Sequence, residues 1–546
     1  QATSVVPSPH GTWAIVVTSA ATTTGFTVVD TVTGAKVGDT VTLDGDYVGS
    51  VSTLDGGTVS SPLFNSAGTR AVVDTITYDY ATSKTVTRVA VIDTTVGAQL
   101  GSTLSVAGTT AATVALNADG SRAVIVTAPD SYDYATATSQ VLLLDTVTGD
   151  QVGSPRTLTG TSIPRLSSDG TRLVVTTTSY ASGFPTDYSE YTAKITVIDT
   201  GTGAQVGNTI TKTGIVIATP NTDGSRLIVS DLTGSPTSSN TTKVTEVNAS
   251  TGAQIGSGVT FTGGAIGTPA LFSADGSCAV VSAIYYGSSP YQTKAAVIDM
   301  ATGGQVGVTV AATGLITTSA PQLNPKGTRV VLRTQDGTIF ATTAYVSIVN
   351  TATGGQVGST QSFGLLSAYD GTGLQFSADG TRALVTSDAD STFSYRTRIT
   401  VLNTTTGAVV SNVVIENWYG WTRLTADGGR VVATAGDSDV GTVAVLAAAT
   451  GAQVDIPLAL PGAAVGSAQL SSDGTRGAVT TTSDGATEVM VFSTATGAQI
   501  GTTFSITGST STAAQFSSDG TAVVLVTTTG DDGTGYTTTV STLAIS

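Results

Sequence analysis

The chain is 546 residues long, with only 11% charged residues and a formal net charge of −16. That balance excludes a nucleic-acid binder, which needs clustered Lys and Arg, and speaks against docking on an anionic membrane surface. A single cysteine, Cys278, excludes an intrachain disulfide, while a single histidine, His10, excludes a multi-histidine metal site and offers one unpromising base for a triad.

From the first residues onward the remaining polarity is mostly Thr, Ser and Gly, and the β-branched Thr and Val favour strands over helices. No window offers the roughly 18 uninterrupted apolar residues of a membrane span. The start at Gln1, without Met or a signal-peptide pattern, is that expected of a processed mature protein or an excised fragment.

Two turns recur along the chain. The first holds Gly11, Gly68, Gly120, Gly170, Gly224, Gly276, Gly327, Gly380, Gly428, Gly474 and Gly520, preceded by Asp in eight of the eleven copies. Glycine supplies the positive φ of a tight turn, and Asp bonds the turn's own backbone. The second turn holds Gly34, Gly97, Gly149, Gly203, Gly252, Gly303, Gly354, Gly407, Gly451 and Gly497; Asp or Asn stands four residues earlier in eight copies, reading as a turn starter. Between the turns lie apolar runs such as Ala123–Val126, so each copy supplies an inner, a second, a third and an outer strand. Copies are spaced by 46 to 57 residues, the span of one four-stranded propeller blade. Residues 39–63 insert extra positions ahead of the second copy, and the eleventh copy stops after its third strand.

Phrases such as Phe376-Ser-Ala-Asp-Gly-Thr-Arg-Ala-Leu-Val-Thr and Ile195-Thr-Val-Ile-Asp-Thr-Gly-Thr-Gly resemble the bacterial YVTN-type β-propeller repeats of large secreted and cell-surface proteins. The resemblance covers essentially the whole chain. It implies an all-β propeller and a secreted or surface location, but no particular activity. The family's first-turn proline occurs only at Pro9 and Pro325. Tandem immunoglobulin-like sandwiches would repeat with about twice the period. The expectation is therefore one continuous eleven-repeat array over 1–546, preferably a single large ring, with two smaller propellers in tandem as the alternative.

Strand order places both glycine turns at one end of each blade and the second-to-third hairpins at the other. The first end is nearly identical in every copy, which reads as structure; the second varies, which reads as available for recognition. Thirteen of the sixteen tyrosines fall in or beside those hairpins. The binding candidates are Tyr78, Tyr80, Tyr132, Tyr134, Tyr285 and Tyr286, together with Trp418, Tyr419 and Trp421 in a blade-to-blade connection. Such rings suit protein or glycan partners, and equally suit pairing across hairpin strands.

An arginine follows the first turn in eight copies and is expected to pair with a carboxylate or carbonyl at the rim. Cys278 takes that slot in one copy and reads as an inert small residue. The acidic pairs Asp388/Asp390, Asp437/Asp439 and Asp531/Asp532 lack a calcium-loop pattern and read as solvated loop acids. No catalytic residue, cofactor motif or metal set is assigned. The expected function is a non-enzymatic secreted or surface module that binds a protein or glycan. The alternatives are a structural, self-assembling envelope component and, less favoured, a glycan-active hydrolase.

Overall fold

The computed structural model describes residues 2–545 except 10–11, 32, 48–50, 53–57, 60–61, 80–83, 109–112, 118, 128–136, 181–184, 236–239, 288–289, 317–320, 336–342, 365–373, 389–395, 416–419, 437–439, 456, 465–467, 484, 509–513, 518–519 and 532–534. The protein is all-β and of the β-propeller type, with eleven successive blade sheets, one 3₁₀ turn, Tyr188–Glu190, and no α-helix among the described residues. Two compact units divide it: Gln1–Phe272 with Ile298–Gln305, and Ser273–Val297 with Val306–Ser546, the dividing line falling within blade six.

In the first unit, blade three shows the plan: Thr113–Leu116, Arg122–Val126, Thr138–Asp145 and Gln151–Thr159 lie in sequence order, each antiparallel to the next. In the second unit, blade nine repeats it with Gly420–Leu424, Arg430–Gly436, Val440–Ala447 and Leu458–Pro461. Among the described residues the eleventh blade shows the strands Gln515–Phe516, Ala522–Asp531 and Gly535–Ala544.

The insertion near residue 39 is placed differently from the sequence expectation. The outer strand of blade one, Lys36–Asp44, runs into it; Asp46–Tyr47 then pairs with Thr75 and Ile76, and Leu63–Phe64 pairs with Ala71 and Val72. The extra residues thus sit inside the inner strand of blade two, not ahead of it. Inner strands of two separated pieces recur at Leu315–Ile316 with Gln322–Leu323 and at Ala463–Ala464 with Gln469–Leu470. The break is therefore a tolerated feature of this strand position.

The second and third strands read as unbroken apolar runs because both their faces are covered. In the first unit, Ile15, Val17, Phe26 and Val28 of blade one pack on Ala71, Val73, Ala90 and Ile92 of blade two. In the second, Leu384, Ile399 and Val401 of blade eight meet Val431, Ala433 and Ala444 of blade nine. Each blade exposes two apolar faces that only neighbours can hide, so stability comes from stacking.

Glycine also sets the spacing between neighbouring outer rims. Gly358, in the outer strand of blade seven, lies at φ 65°, and a Cβ there would stand 2.7 Å from the Thr406 carbonyl oxygen of blade eight's turn. Gly101 against Gly149 and Gly207 against Ser250 make a similarly close approach in the first unit.

Candidate functional site

The end of the blade that carries both glycine turns is tied together by three recurrent contacts. Gly68, Gly120, Gly170 and their equivalents through Gly520 lie at φ between 65° and 72°, the left-handed conformation that the turn demands. The Asp before the glycine accepts from its neighbours: Asp473 takes the Ser471 hydroxyl at 2.6 Å and the Thr475 amide at 3.0 Å. These hydrogen bonds, Ser471's first, hold the Asp473 carboxyl down to about 2; Asp275 and Asp379 are held there in the same way.

The arginine that follows reaches across the sheet. Arg70 meets Asp93 at 3.0 Å, Arg122 meets Asp145 at 2.7 Å and Arg172 meets Asp199 at 2.6 Å. Those aspartates also start the second turn, since Asp145 Oδ1 accepts from the amides of Val147 at 2.8 Å and Thr148 at 3.1 Å. In blade seven, where Asn350 stands opposite Arg329, Arg329 donates instead to the Thr404 carbonyl of blade eight at 3.2 Å. These arginines are engaged in holding the rim, with carboxylate and carbonyl partners as the sequence suggested.

The third contact was not read from the sequence. The Thr after the second-turn Asp, Asn or Ser is buried, and its hydroxyl donates to the first-turn glycine carbonyl: Thr94 to Gly68 at 2.6 Å, Thr200 to Gly170 at 2.7 Å, Thr351 to Gly327 at 2.8 Å and, after Ser493, Thr494 to Gly474 at 2.7 Å. The repeated Asp-Thr dipeptide was the available signal.

Blade five departs from this plan. Asn248 and Ala249 replace the Asp and Thr, and the carboxylate has moved two residues back to Glu246, which is 0% exposed. Glu246 Oε1 accepts from Arg226 at 2.6 Å, and Arg226 also donates to the Met300 carbonyl at 2.5 Å. Burial, only partly offset by Arg226, pushes the Glu246 carboxyl up. Cys278, in the arginine slot of blade six, is buried, and its amide donates to Ser273 Oγ at 3.0 Å.

The hairpin ends are built differently. In blade four, Asp187 Oδ1 accepts from the Ser189 amide at 2.7 Å, and Glu190 Oε1 accepts from the Asp187 amide at 3.0 Å. The resulting turn is clipped to blade five, the Tyr188 amide donating to the Gly234 carbonyl at 2.9 Å and the Gly234 amide donating to Ser189 Oγ at 3.0 Å. Tyr180 and Tyr191 meet edge to face at 5.5 Å beside it.

In blade six, Tyr285 ends the strand Cys278–Tyr285, and Lys294 Nζ stands 4.0 Å from its ring centroid, a cation–π contact. Burial raises the Tyr285 hydroxyl. The next residue, Tyr286, is 57% exposed, with Tyr291 edge-on at 6.0 Å. Lys294 is the member of this group that the sequence reading did not single out.

Of the other candidates, Tyr78 lies in the strand Arg70–Asp79 and is 51% exposed. Tyr80, Tyr132, Tyr134, Trp418 and Tyr419 lie outside the described residues. Trp421 corrects the sequence expectation: it belongs to the inner strand Gly420–Leu424, not to a connection, and is half-buried. Its register opposite Thr434, with Gly420 opposite Ala435, extends the inner strand over residues expected in a loop. Of the acidic pairs, Asp390, Asp437, Asp439 and Asp532 lie outside the described residues. Among the described residues no cluster of three or more His, Cys, Asp or Glu could hold a metal ion, and no helix is long and apolar enough to cross a membrane.

No family model matches the chain, and no curated protein matches it. Among solved structures it is similar to one described as a crystal structure of the eukaryotic initiation factor, at 10% identity and TM-score 0.48, over 91% of this chain and 97% of the other. It is also similar to TolB from Acinetobacter baumannii, at 17% identity and TM-score 0.27, over 62% and 77% of the two chains. A third is the β-propeller domain of the Trilobed protease from Pyrococcus furiosus, at 11% identity and TM-score 0.30, over 66% and 98%. At these identities and scores nothing about function passes to this chain.

Proposed function

We propose that this protein is a non-enzymatic interaction module of the bacterial YVTN propeller type, secreted or held at the cell surface. In this reading it offers the tyrosine-bearing hairpin ends of its blades to a protein or glycan. The observation that carries the proposal is the blade-six hairpin: Tyr286 is 57% exposed, braced edge-on by Tyr291, next to a Tyr285 ring covered by Lys294. A braced tyrosine presents contact area with little further entropy to lose on binding. The opposite end of the blades is engaged in its own turns, and in blades two to five in an ion pair as well, which suits a supporting role.

The test is binding of the intact protein to a glycan array and to a panel of envelope proteins, repeated with Tyr286→Ala and Tyr78→Ala. The proposal expects a bound partner whose retention falls at least about tenfold in one of these variants. Turnover of a glycan by the intact protein would refute the non-enzymatic reading.

A further inference from the structure

In blades five and seven an asparagine, Asn248 or Asn350, stands opposite the first-turn arginine. In both, the arginine reaches the next blade instead: Arg226 donates to the Met300 carbonyl at 2.5 Å and Arg329 to the Thr404 carbonyl at 3.2 Å. Met300 and Thr404 hold the same place, directly after the Asp299 or Asn403 that starts the second turn. Blade five and the blade-six turn belong to one compact unit. The arginine thus ties its own blade to the rim of its neighbour.

The two blades differ at one buried position. Two residues before Asn350 stands Ile348, and two before Asn248 stands Glu246; both are at most 3% exposed. Glu246 Oε1 accepts at 2.6 Å from the same Arg226 nitrogen that serves the Met300 carbonyl. Glu246 Oε2 is buried and has no hydrogen-bond partner among the described residues. Burial pushes the Glu246 carboxyl up, Arg226 offsets this only in part, and the nearby Asp299 adds to it. Asp299 itself is held below the usual carboxylate range by Thr302 and Ala301.

The remaining charges of this sheet face elsewhere. Asp231 and Lys243, directly opposite one another, lie on the other face of the sheet, where Asp231 meets Lys212 of blade four at 3.5 Å. The outer strand Gln254–Thr262 and the blade-six strands Ala265–Ile266 and Leu271–Phe272 carry no charged residue. Asp223, in the first turn, accepts from the amide and hydroxyl of Ser225. We propose that Glu246 is an acid–base switch on the tie between blade five and the second turn of blade six. With Glu246 neutral, Arg226 holds that turn through the Met300 carbonyl. Once Glu246 ionises, a buried charge with one unpartnered oxygen draws the guanidinium inward, and the carbonyl bond is given up. A carboxyl raised in the folded state contributes fully below its unfolded value and loses that contribution as pH rises through the folded one. The clasp is therefore closed in mild acid and loosens towards alkaline pH.

The probe is amide exchange in the intact protein, read as protection factors between about pH 5 and about pH 8 so that the intrinsic pH dependence of exchange is removed. Protection at the Thr302 and Gly303 amides, which close the blade-six turn on Asp299, is expected to fall about tenfold over that range. The equivalent Thr406 and Gly407 amides of blade eight, whose turn Arg329 holds without a buried carboxyl, are expected to stay level. Glu246→Gln, a neutral group of the same shape, should keep the blade-six turn at its acid-side protection throughout. Level protection of that turn in the parent protein overturns the proposal. So does an equal fall at both turns, or a fall that persists in Glu246→Gln. Should Glu246→Gln fail to fold, the two turns of the parent protein decide the matter alone.

Discussion

Nη1 of Arg172 lies 2.6 Å from Oδ2 of Asp199, its directly opposite partner on the neighbouring strand, while Oδ1 of the same carboxylate accepts from the Thr202 amide at 2.9 Å. One aspartate therefore closes the second turn and anchors the arginine that leaves the first. With both side chains about a quarter to a third exposed, solvent screens the pair. A double-mutant cycle with Arg172→Ala and Asp199→Asn, read by urea unfolding, is expected to give a coupling of no more than about 1 kcal/mol.

The buried hydroxyl beside that pair should matter more. Thr200 donates to the Gly170 carbonyl at 2.7 Å and is almost fully buried. Thr200→Val leaves that carbonyl without its side-chain donor and should lower stability by about 1–2 kcal/mol, whereas Thr200→Ser should recover most of the loss. The shift in urea midpoint checks both.

Two glycines with nearly the same backbone conformation separate strain from crowding. Gly34 lies at φ 69°, and a Cβ added there would meet nothing within 4 Å; Gly358 lies at φ 65°, where a Cβ would come within 2.7 Å of the Thr406 carbonyl oxygen. Gly34→Ala should cost about 1 kcal/mol from the left-handed backbone alone. Gly358→Ala should cost about 3 kcal/mol, because it also forces neighbouring blades apart. Thermal unfolding of the two variants orders them.

The first-turn aspartates make stability depend on acid. Asp275, Asp379 and Asp473 are held at about 2 against an ordinary value of 3.8, chiefly by hydrogen bonds from Ser273, Ser377 and Ser471. A carboxyl depressed in the folded state contributes fully above its unfolded value and loses that contribution as pH falls through the folded one. Stability should therefore decline from about pH 4 towards pH 2. Asp473→Asn should flatten part of that decline, and its unfolding midpoint should approach that of the parent at the acid end.

The blades were legible in the sequence because each hangs on two turns whose glycines must adopt positive φ, and because apolar runs between them must be covered on both faces. The arginine–aspartate pairing was legible for the same reason: both residues recur in step with the turns. What escaped were contacts that depend on the neighbouring strand or blade. The Thr200 hydroxyl looks like one more threonine in a Thr-rich chain until its strand is set beside Gly170. The outer-strand glycine, as at Gly358, reveals its purpose only against the next blade's turn. Trp421 lies in an inner strand whose length varies from blade to blade and whose start is marked by no recurrent turn, so its place showed only once that strand was paired with Arg430–Gly436. Lys294 became part of the tyrosine group only once the hairpin strands were paired.

The central claim is that the hairpin ends recognise a partner while the glycine-turn ends support them. Its most direct test compares partner retention by the parent protein, by Tyr286→Ala and by the rim variant Thr200→Ser, each first shown to be folded. The account predicts that Tyr286→Ala loses the partner and Thr200→Ser keeps it. Retention unchanged in Tyr286→Ala but lost in Thr200→Ser would contradict it.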